Sequence, residues 1–466
     1  MDATRTTCDV LVVGAGISGL TLAHALGKHG IATVLVDAGD APGGVIGTRE
    51  RDGFLYETGA NSALDTSPAL NELFAELGIL DERRDAGETG SKRFIVRDGK
   101  LVALPTSPGA FFTTPAFTLG AKVRLFREPF IPPSSPHAEE TIAQFVRRRL
   151  GHEFLDYAID PFVSGIYAGD PERISVPAAF PKLFALEQKY GSLIRGQIMG
   201  ARERRKSAET SKNTAGSFSF ARGMRTLPEA LATRIRRCDF GTRVASIARA
   251  PRGFEVQAVQ HGEAVTYFAR SVVVSAAAHA ASRMFEASAP AVARALATIE
   301  YAPVSVVASA YRREDVAHAL DGFGVLVPKK EQRRILGTLF SSSLFEGRAP
   351  AGHVLLTTFA GGRRNPDVMT LDDAALAAMV SEELRILLGA RTPRWSEIVR
   401  WPQAIPQYTI GHLGRVQTVD AAAASMLGLH FCANWRGGVS FGDCIKNGLA
   451  MADTVRRALV PEPQAA

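Results

Sequence analysis

The chain has 466 residues, a formal net charge of +7 and an apolar content of 46%, too long for one core and expected to divide into two or three domains. Its basic residues are scattered, which suits acidic small molecules or an anionic membrane surface and argues against nucleic acid; the densest cluster, Arg202 to Lys206, sits in a Ser/Lys/Asn-rich stretch and reads as a solvated loop. Four dispersed cysteines, Cys8, Cys238, Cys432 and Cys444, argue against a structural metal or a redox disulfide, and no metal site is expected.

The first element is the apolar run Asp9 to Val13, followed by "VVGAGISGLTLAHALGKHG". Gly14, Gly16 and Gly19 between a strand and a helix form a dinucleotide fingerprint. The first allows the tight turn, the second lets a pyrophosphate approach the backbone, and the third lets helix pack on strand. A glycine turn that only packs is the plainer reading. A second apolar run, Ala32 to Val36, ends at Asp37, placed to bond an adenosine ribose. Next come "APGGVIGT", with Gly43 and Gly44, and "GFLYETGANS".

Phe111 to Gly216 reads as helical, broken at "PFIPPSSP" and "DPERISVP". Further on, "GTRVASIARAPRGFEVQAV" reads as two β pieces around a turn, and "ARSVVVSAAAHAA" as a buried strand and a helix start. Thr298 to Gln417 carries alternating or continuously apolar runs such as "APVSVVASAY" and "HVLLTTFAGG", the pattern of an antiparallel sheet. The terminal segment "GLHFCANWRGGVSFGDCIKNGLAMADTVRRAL" reads strand, glycine loop, helix. No stretch of about eighteen apolar residues crosses a membrane. The N-terminus runs almost directly into a strand, so no signal or transit peptide is expected.

FAD and NAD share the fingerprint. A second glycine fingerprint and a C-x-x-x-x-C pair, both expected of a disulfide reductase, are absent. One dinucleotide site closed by a glycine loop and a C-terminal helix favours FAD. The N-terminus of that helix would face the flavin's N1 and C2 carbonyl and raise its electron affinity.

Taken together, "VVGAGISGL", "PGGVIGT", "GFLYETGANS", "SGIYAGDPERISV", "GFGVLVPKKEQRRILGTLF", "TTFAGGRRNP", "AIPQYTIGHL" and "NWRGGVSFGDCIKNG" resemble the oxygen-dependent, FAD-containing protoporphyrinogen oxidase family of the flavin amine oxidase superfamily. The resemblance runs nearly end to end. It implies an α/β fold: a discontinuous Rossmann-like FAD-binding domain (1–85, 217–297 and 418–466), an α+β substrate-binding domain (86–110 and 298–417) and a helical, membrane-associating insertion (111–216). It implies cofactor contacts at Gly14, Gly16, Ser18, Gly19, Asp37, Gly43, Gly44, Glu57, Gly59, Asn61, Val244, Trp401, Asn434, Gly438, Val439 and Ser440, with FAD held noncovalently. Glu57 has no chemical step assigned to it. Two departures, Ala433 and Trp435, would place an extra methyl and a larger ring beside the flavin.

The implied reaction is oxidation of protoporphyrinogen IX to protoporphyrin IX, with hydride passing to flavin N5 and oxygen as acceptor. Coproporphyrinogen III, another amine oxidase or desaturase substrate, and a catalytically idle FAD-binding partner are the alternatives. No side chain is assigned a catalytic proton or nucleophile role. Arg93 would grip a propionate, Leu326, Leu339 and Phe359 would wall the ring, and Gly165 and Gly169 would turn backbone carbonyls toward pyrrole N–H groups. By the residues alone the three walls are ordinary core. Phe111, Phe112, Phe117, Phe126 and Phe130 among Lys122, Arg124 and Arg127 suit a surface that dips into lipid headgroups; a buried helix with a charged outer face fits equally. The expected location is a bacterial cytoplasm, peripheral to the inner face of the cell membrane. A homodimer and the next haem-pathway enzyme are the protein partners implied, and nucleic acid is not.

Overall fold

The structure, a computed structural model, describes residues 4–105, 107–135, 138–200 and 215–459; the Arg202 to Lys206 cluster lies outside them. The strand Thr4–Val13 pairs in parallel with Thr33–Val36 and with Glu263–Val274, and Leu429–Phe431 adds a further parallel strand beside the latter. These segments are near-continuous apolar runs because both faces of the sheet are covered. The register Val36↔Val13↔Val274↔Phe431 ends all four strands on one line. Gly14, Asp37, Ser275 and Cys432 therefore leave the sheet at a single edge. The expected hairpin, Thr242–Ala250 with Gly253–Gln260, extends this sheet in antiparallel fashion. The helix Ile17–Lys28 is crossed by the terminal helix Phe441–Leu459, and a Cβ on Gly448 would stand 2.8 Å from the Ser18 carbonyl oxygen. Only glycine permits so close a crossing.

A second seven-stranded sheet runs in the order Trp395–Pro406, Tyr301–Arg312, His353–Gly361, Ile335–Leu339, Gly324–Leu326, Arg93–Arg97, Lys100–Ala103. It is antiparallel as expected except where Gly324–Leu326 meets Arg93–Arg97 in parallel. Val307, Tyr311, Val325 and Leu356 pack with Leu376, Val380 and Leu384 of the helix Asp373–Leu388. That closes one face of the sheet; the other is left for the site.

The helical insertion is tied by a buried ion cluster. Arg149, fully buried, donates from Nε to Glu187 Oε1 (2.5 Å) and from Nη1 to Glu128 Oε1 (3.1 Å) and the Ile131 carbonyl (2.9 Å). Glu128 in turn accepts from Ser192 Oγ (2.5 Å) and the Leu193 and Ile194 N–H groups (2.8 and 3.2 Å), capping the helix Leu193–Met199. Each ion is compensated by several hydrogen bonds, the condition for burying it.

The aromatic and basic residues of this insertion sort differently from the sequence expectation. Phe117 is core, stacked on Phe154 at 4.4 Å, and Phe111 packs beside it. Lys122 is buried, its Nζ bonded to the Phe112 and Thr114 carbonyls (2.9 and 2.8 Å), and Arg124 caps the Arg147 and Arg148 carbonyls. These two cations serve helix ends rather than an outer surface. What faces outward is mainly apolar, with Arg127 as an exposed cation beside it: Leu119, Val123, Phe126 at 65% and Phe130 at 81% exposure, with Phe112, Ile198 and Met199. Among the described residues no helix is long and apolar enough to cross a membrane.

Removing Arg149 would leave the buried Glu128 carboxylate without a cation and Glu187 with Arg148 alone. Arg149→Ala is expected to lose about 3–5 kcal/mol of stability, read as a lowered midpoint in urea unfolding followed by tryptophan fluorescence and far-UV dichroism.

Candidate active site

The edge where the parallel strands end is the place at which open α/β sheets bind ligands. Gly14 has φ +116°, a conformation L side chains avoid, and a Cβ on Gly19 would overlap the Gly14 carbonyl oxygen. Both glycines are required by the protein itself. Gly16 is not: its backbone is extended (φ −70°, ψ 170°), and a Cβ there would meet nothing within 4 Å. The helix it opens carries neither a side-chain cap nor an acid in its first turn. Its N–H groups are thus open to an anion. Gly44 lies against Gly16, its would-be Cβ 3.5 Å from the Gly16 Cα, and Gly43 N–H bonds the Ala15 carbonyl (2.8 Å). Asp37 accepts from the Ala15 and Gly39 N–H groups (2.6 and 2.7 Å), and each oxygen keeps a further lone pair for a hydroxyl. Val244 faces the core; a bulge between it and Ser246 frees backbone, close to Asp37 through the Thr242 N–H bond to the Asp37 carbonyl (2.7 Å). Ser18 is buried in the first helical turn.

Two more loops reach this crevice. A Cβ on Gly59 would overlap the Val45 carbonyl, so the Thr58–Ser62 loop lies directly on the Gly43–Gly47 turn; Asn61 Nδ2 bonds the Gly59 carbonyl (2.9 Å). Trp401 of the second sheet donates from Nε1 to the Thr58 carbonyl (2.7 Å). Glu57 does not point into the crevice. Its carboxylate accepts from Thr48 Oγ1 (2.6 Å) and the Met224 N–H (3.0 Å) and faces Arg348 (3.4 Å). Burial pushes its pKa up to about 7. It is an internal joint.

The Asn434–Ser440 loop is held by residues that the sequence reading missed. Tyr408 donates its hydroxyl to the Asn434 carbonyl (2.7 Å) and accepts from the Gly438 N–H (3.1 Å). Its ring stacks on His412 at 4.2 Å, and His412 Nε2 bonds the Trp435 carbonyl (2.8 Å). Burial pulls His412 down to about 4, so it stays neutral and donates there. The motif "PQYTIGH" contained both residues, but only folding brings them beneath the loop. Trp435 is fully buried, its Nε1 bonded to the Ala276 carbonyl (3.2 Å) and its ring against Phe431. The larger ring is housed in the core with Ala433, which corrects the expectation that both stand beside the flavin. Ser440 Oγ bonds Asp443 Oδ2 (2.6 Å), so the first turn of the terminal helix carries its own carboxylate. That turn is not the bare positive dipole end expected from the sequence.

Arg93, Leu326, Leu339 and Phe359 share the open face of the second sheet. The register Val306↔Phe359↔Gly337↔Leu326↔Ile95 makes one row, and Thr357↔Leu339↔Gly324↔Arg93 the next. Opposed residues share a face and side chains alternate along each strand, so Trp401, opposite Val304, stands on the same side. Leu326 is gripped from two directions: a Cβ on Gly165 or on Gly337 would stand 3.2 or 3.3 Å from its Cδ2. Leu326, Val439, Tyr167 and Tyr408 belong to a single apolar cluster. Wall and cofactor loops therefore meet. Arg93 lies on the Phe323 ring at 5.2 Å; the residue is exposed, and the protein on its inner side lowers its pKa by desolvation. Among the described residues its guanidinium has no hydrogen-bond or ion-pair partner.

Gly165 and Gly169 do not form the expected loop. Gly165 sits inside the helix Asp160–Tyr167, which follows a π turn at Leu155–Ile159, and Ala168 ends it in the left-handed region at φ 46°. The Tyr167 and Ala168 carbonyls are occupied by Gln407 Nε2 and the Arg363 N–H, each at 2.8 Å. A Cβ on Gly169 would stand 2.5 Å from Ile174 Cδ1, so that glycine serves packing.

Residues 17–456 match the family described as flavin containing amine oxidoreductase. The chain is 34% identical to the chloroplastic protoporphyrinogen oxidase of Nicotiana tabacum, over 96% of this chain and 85% of that one. It is 27% identical to the coproporphyrinogen III oxidase of Bacillus subtilis, over 95% and 96%. A crystal structure from Exiguobacterium sp. 255-15 superposes with a TM-score of 0.78 at 23% identity, covering 98% of this chain and 99% of that one.

The crevice fits a flavin cofactor: the space over Gly16, the uncapped helix end and the remaining acceptor capacity of Asp37 leave room and partners for a phosphate and a hydroxyl. Gly16→Val should therefore abolish flavin retention while the melting temperature of the flavin-free chain stays near that of the parent. Gly19→Val, by contrast, should lower that temperature itself. Absorbance near the flavin band and thermal melts of both proteins decide it.

Proposed function

The chain belongs to the flavin-containing amine oxidoreductases, and from that premise we propose that it oxidises protoporphyrinogen IX to protoporphyrin IX with FAD as hydride acceptor and oxygen as the final acceptor. The observation that carries this reading is the pair of adjacent rows on one sheet face, Phe359 with Leu326 and Leu339 with Arg93, whose guanidinium has no ion-pair partner among the described residues. A porphyrinogen is an apolar macrocycle with propionates on one edge, and a propionate entering an apolar cleft needs a cation to offset its lost hydration. The bound cofactor supplies hydride chemistry at N5. The protein's share is placement: Phe359, Leu326 and Leu339 hold the ring, Arg93 sets its edge, and Tyr408 and Trp401 fix the loops that carry the flavin. Noncovalent attachment is supported by Cys432, whose thiol is pushed up to about 12 by burial and so does not offer a thiolate beside the cofactor loop.

The outward apolar residues of the insertion support a peripheral membrane location on the inner face of a bacterial cell membrane. Leu119, Val123, Phe126 and Phe130 are exposed among the described residues, and apolar side chains exposed together on one short insertion mark association surfaces. A homodimer belongs to the same reading.

Arg93→Ala should raise KM for protoporphyrinogen by about tenfold, the effect of losing one charged hydrogen bond, with a smaller loss in kcat. Coproporphyrinogen III, with two further propionates against the apolar wall, should show the lower kcat/KM; a clear preference for it would transfer the reading to that substrate. Phe126→Ser with Phe130→Ser should weaken flotation with anionic liposomes and leave oxidation in detergent near parent level, and unchanged flotation would remove the membrane from the proposal.

A further inference from the structure

The joint around Glu57 contains a charge that nothing above uses. Arg348 is 2% exposed. Its Nη2 donates to Ser219 Oγ (2.6 Å) and the Phe220 carbonyl (3.2 Å), it faces Glu57 Oε1 at 3.4 Å, and its own carbonyl accepts the Leu55 N–H (3.2 Å). Its Nη1 is buried without a hydrogen-bond partner. A buried guanidinium N–H left unmet is costly because its hydration is lost with nothing in exchange, so an acceptor is called for. Arg348 also lines a small internal cavity with Glu57, Asn61, Ser62, Leu339 and Thr357, which has room for one water-sized occupant.

The position of this charge in the chain path is what gives it meaning. The Thr58–Ser62 loop leaves from Glu57 and arrives at Ala63. Glu57 is held by Thr48, Met224 and Arg348, while Ala63 pairs with Phe218 on the strand Ser217–Phe220, the same strand whose Ser219 and Phe220 Arg348 grips. One side chain thus sets the distance between the two ends of a five-residue loop. On the loop's opposite side Trp401 holds the Thr58 carbonyl. Both clamps come from segments attached to the second sheet, Trp401 from its edge strand and Arg348 from the turn before His353–Gly361.

We propose that Arg348 is a positioning residue for the flavin loop, fixing its two ends through Glu57 and Ser219–Phe220 and supporting its underside through one water held in the adjoining cavity. The proposal rests on the reading of Thr58–Ser62 as part of the cofactor site. Loss of the guanidinium lets the loop shift against Gly43–Gly47, and flavin affinity falls although no atom of Arg348 is assigned to the flavin itself.

The test compares the FAD-loaded parent with Arg348→Lys, Arg348→Met and the double variant Glu57→Gln/Arg348→Met, which removes the carboxylate that Arg348→Met alone would strand. The readouts are the FAD dissociation constant by fluorescence titration, the shape of the bound flavin's visible band, and the melting temperature of the flavin-free chain. The double variant should melt near the parent yet bind FAD about tenfold more weakly with an altered visible band, and Arg348→Lys should recover part of the affinity. A double variant with the parent's dissociation constant and spectrum would overturn the proposal. So would losses in affinity matched by an equal fall in flavin-free stability, because that is the mark of a purely structural role. A parent chain that takes up no FAD would overturn the reading of the loop and the proposal with it.

Discussion

Everything in this molecule hangs on the close approach of Gly19 to the Gly14 carbonyl, which sets the angle at which the helix Ile17–Lys28 leaves the first strand. No side chain fits there, and the sharp turn needs a positive φ at Gly14. Because the helix then lies close to the sheet, its N-terminus opens at the same edge where three other parallel strands end. The terminal helix can cross it only through Gly448. A binding crevice is the geometric consequence of one tight contact.

The second sheet matters through its attachments to that crevice. Trp401, Tyr408 and Arg348 come from outside the parallel sheet: Trp401 and Arg348 brace the Thr58–Ser62 loop and its ends, and Tyr408 holds Asn434–Ser440. The face that carries Phe359, Leu326 and Arg93 is thereby held against these loops, with Leu326 and Val439 sharing one apolar cluster across the join. Polar joints of this kind specify one arrangement more sharply than apolar packing does, because a buried donor or acceptor tolerates little displacement. Glu57 illustrates the point: it joins three segments through Thr48, Met224 and Arg348, and its burial shows in a carboxyl pushed up to about 7.

The helical insertion divides its charges and its aromatics in an unusual sense. Arg149, Lys122 and Arg124 turn inward to satisfy carboxylates and helix-end carbonyls, while Phe126 and Phe130 remain outside. An arginine can be buried where five donors find acceptors. An exposed phenylalanine gains nothing from water, so the arrangement is stable only if most of the insertion's cohesion is internal, which the Glu128–Arg149–Glu187 cluster supplies.

The sequence by itself determined the parts whose physics is local. The glycine spacing at 14, 16 and 19, the apolar strands around it, the hairpin near Val244 and the terminal strand, loop and helix are each written in periodicity and turn residues within a short stretch of chain, and those elements form where they were expected. The resemblance supplied the family. What only the tertiary structure decided is which side chains share a face and which are consumed internally. Leu326, Leu339 and Phe359 look like any core residues until the register places them in rows with Arg93. Gly165 reads as a turn until a π turn carries the helix through it, and Lys122 reads as surface until two carbonyls claim it. Tyr408, His412 and Arg348 carried no signal that set them apart, because each acts across more than twenty residues of chain, and a hydrogen bond between distant segments leaves no periodicity behind.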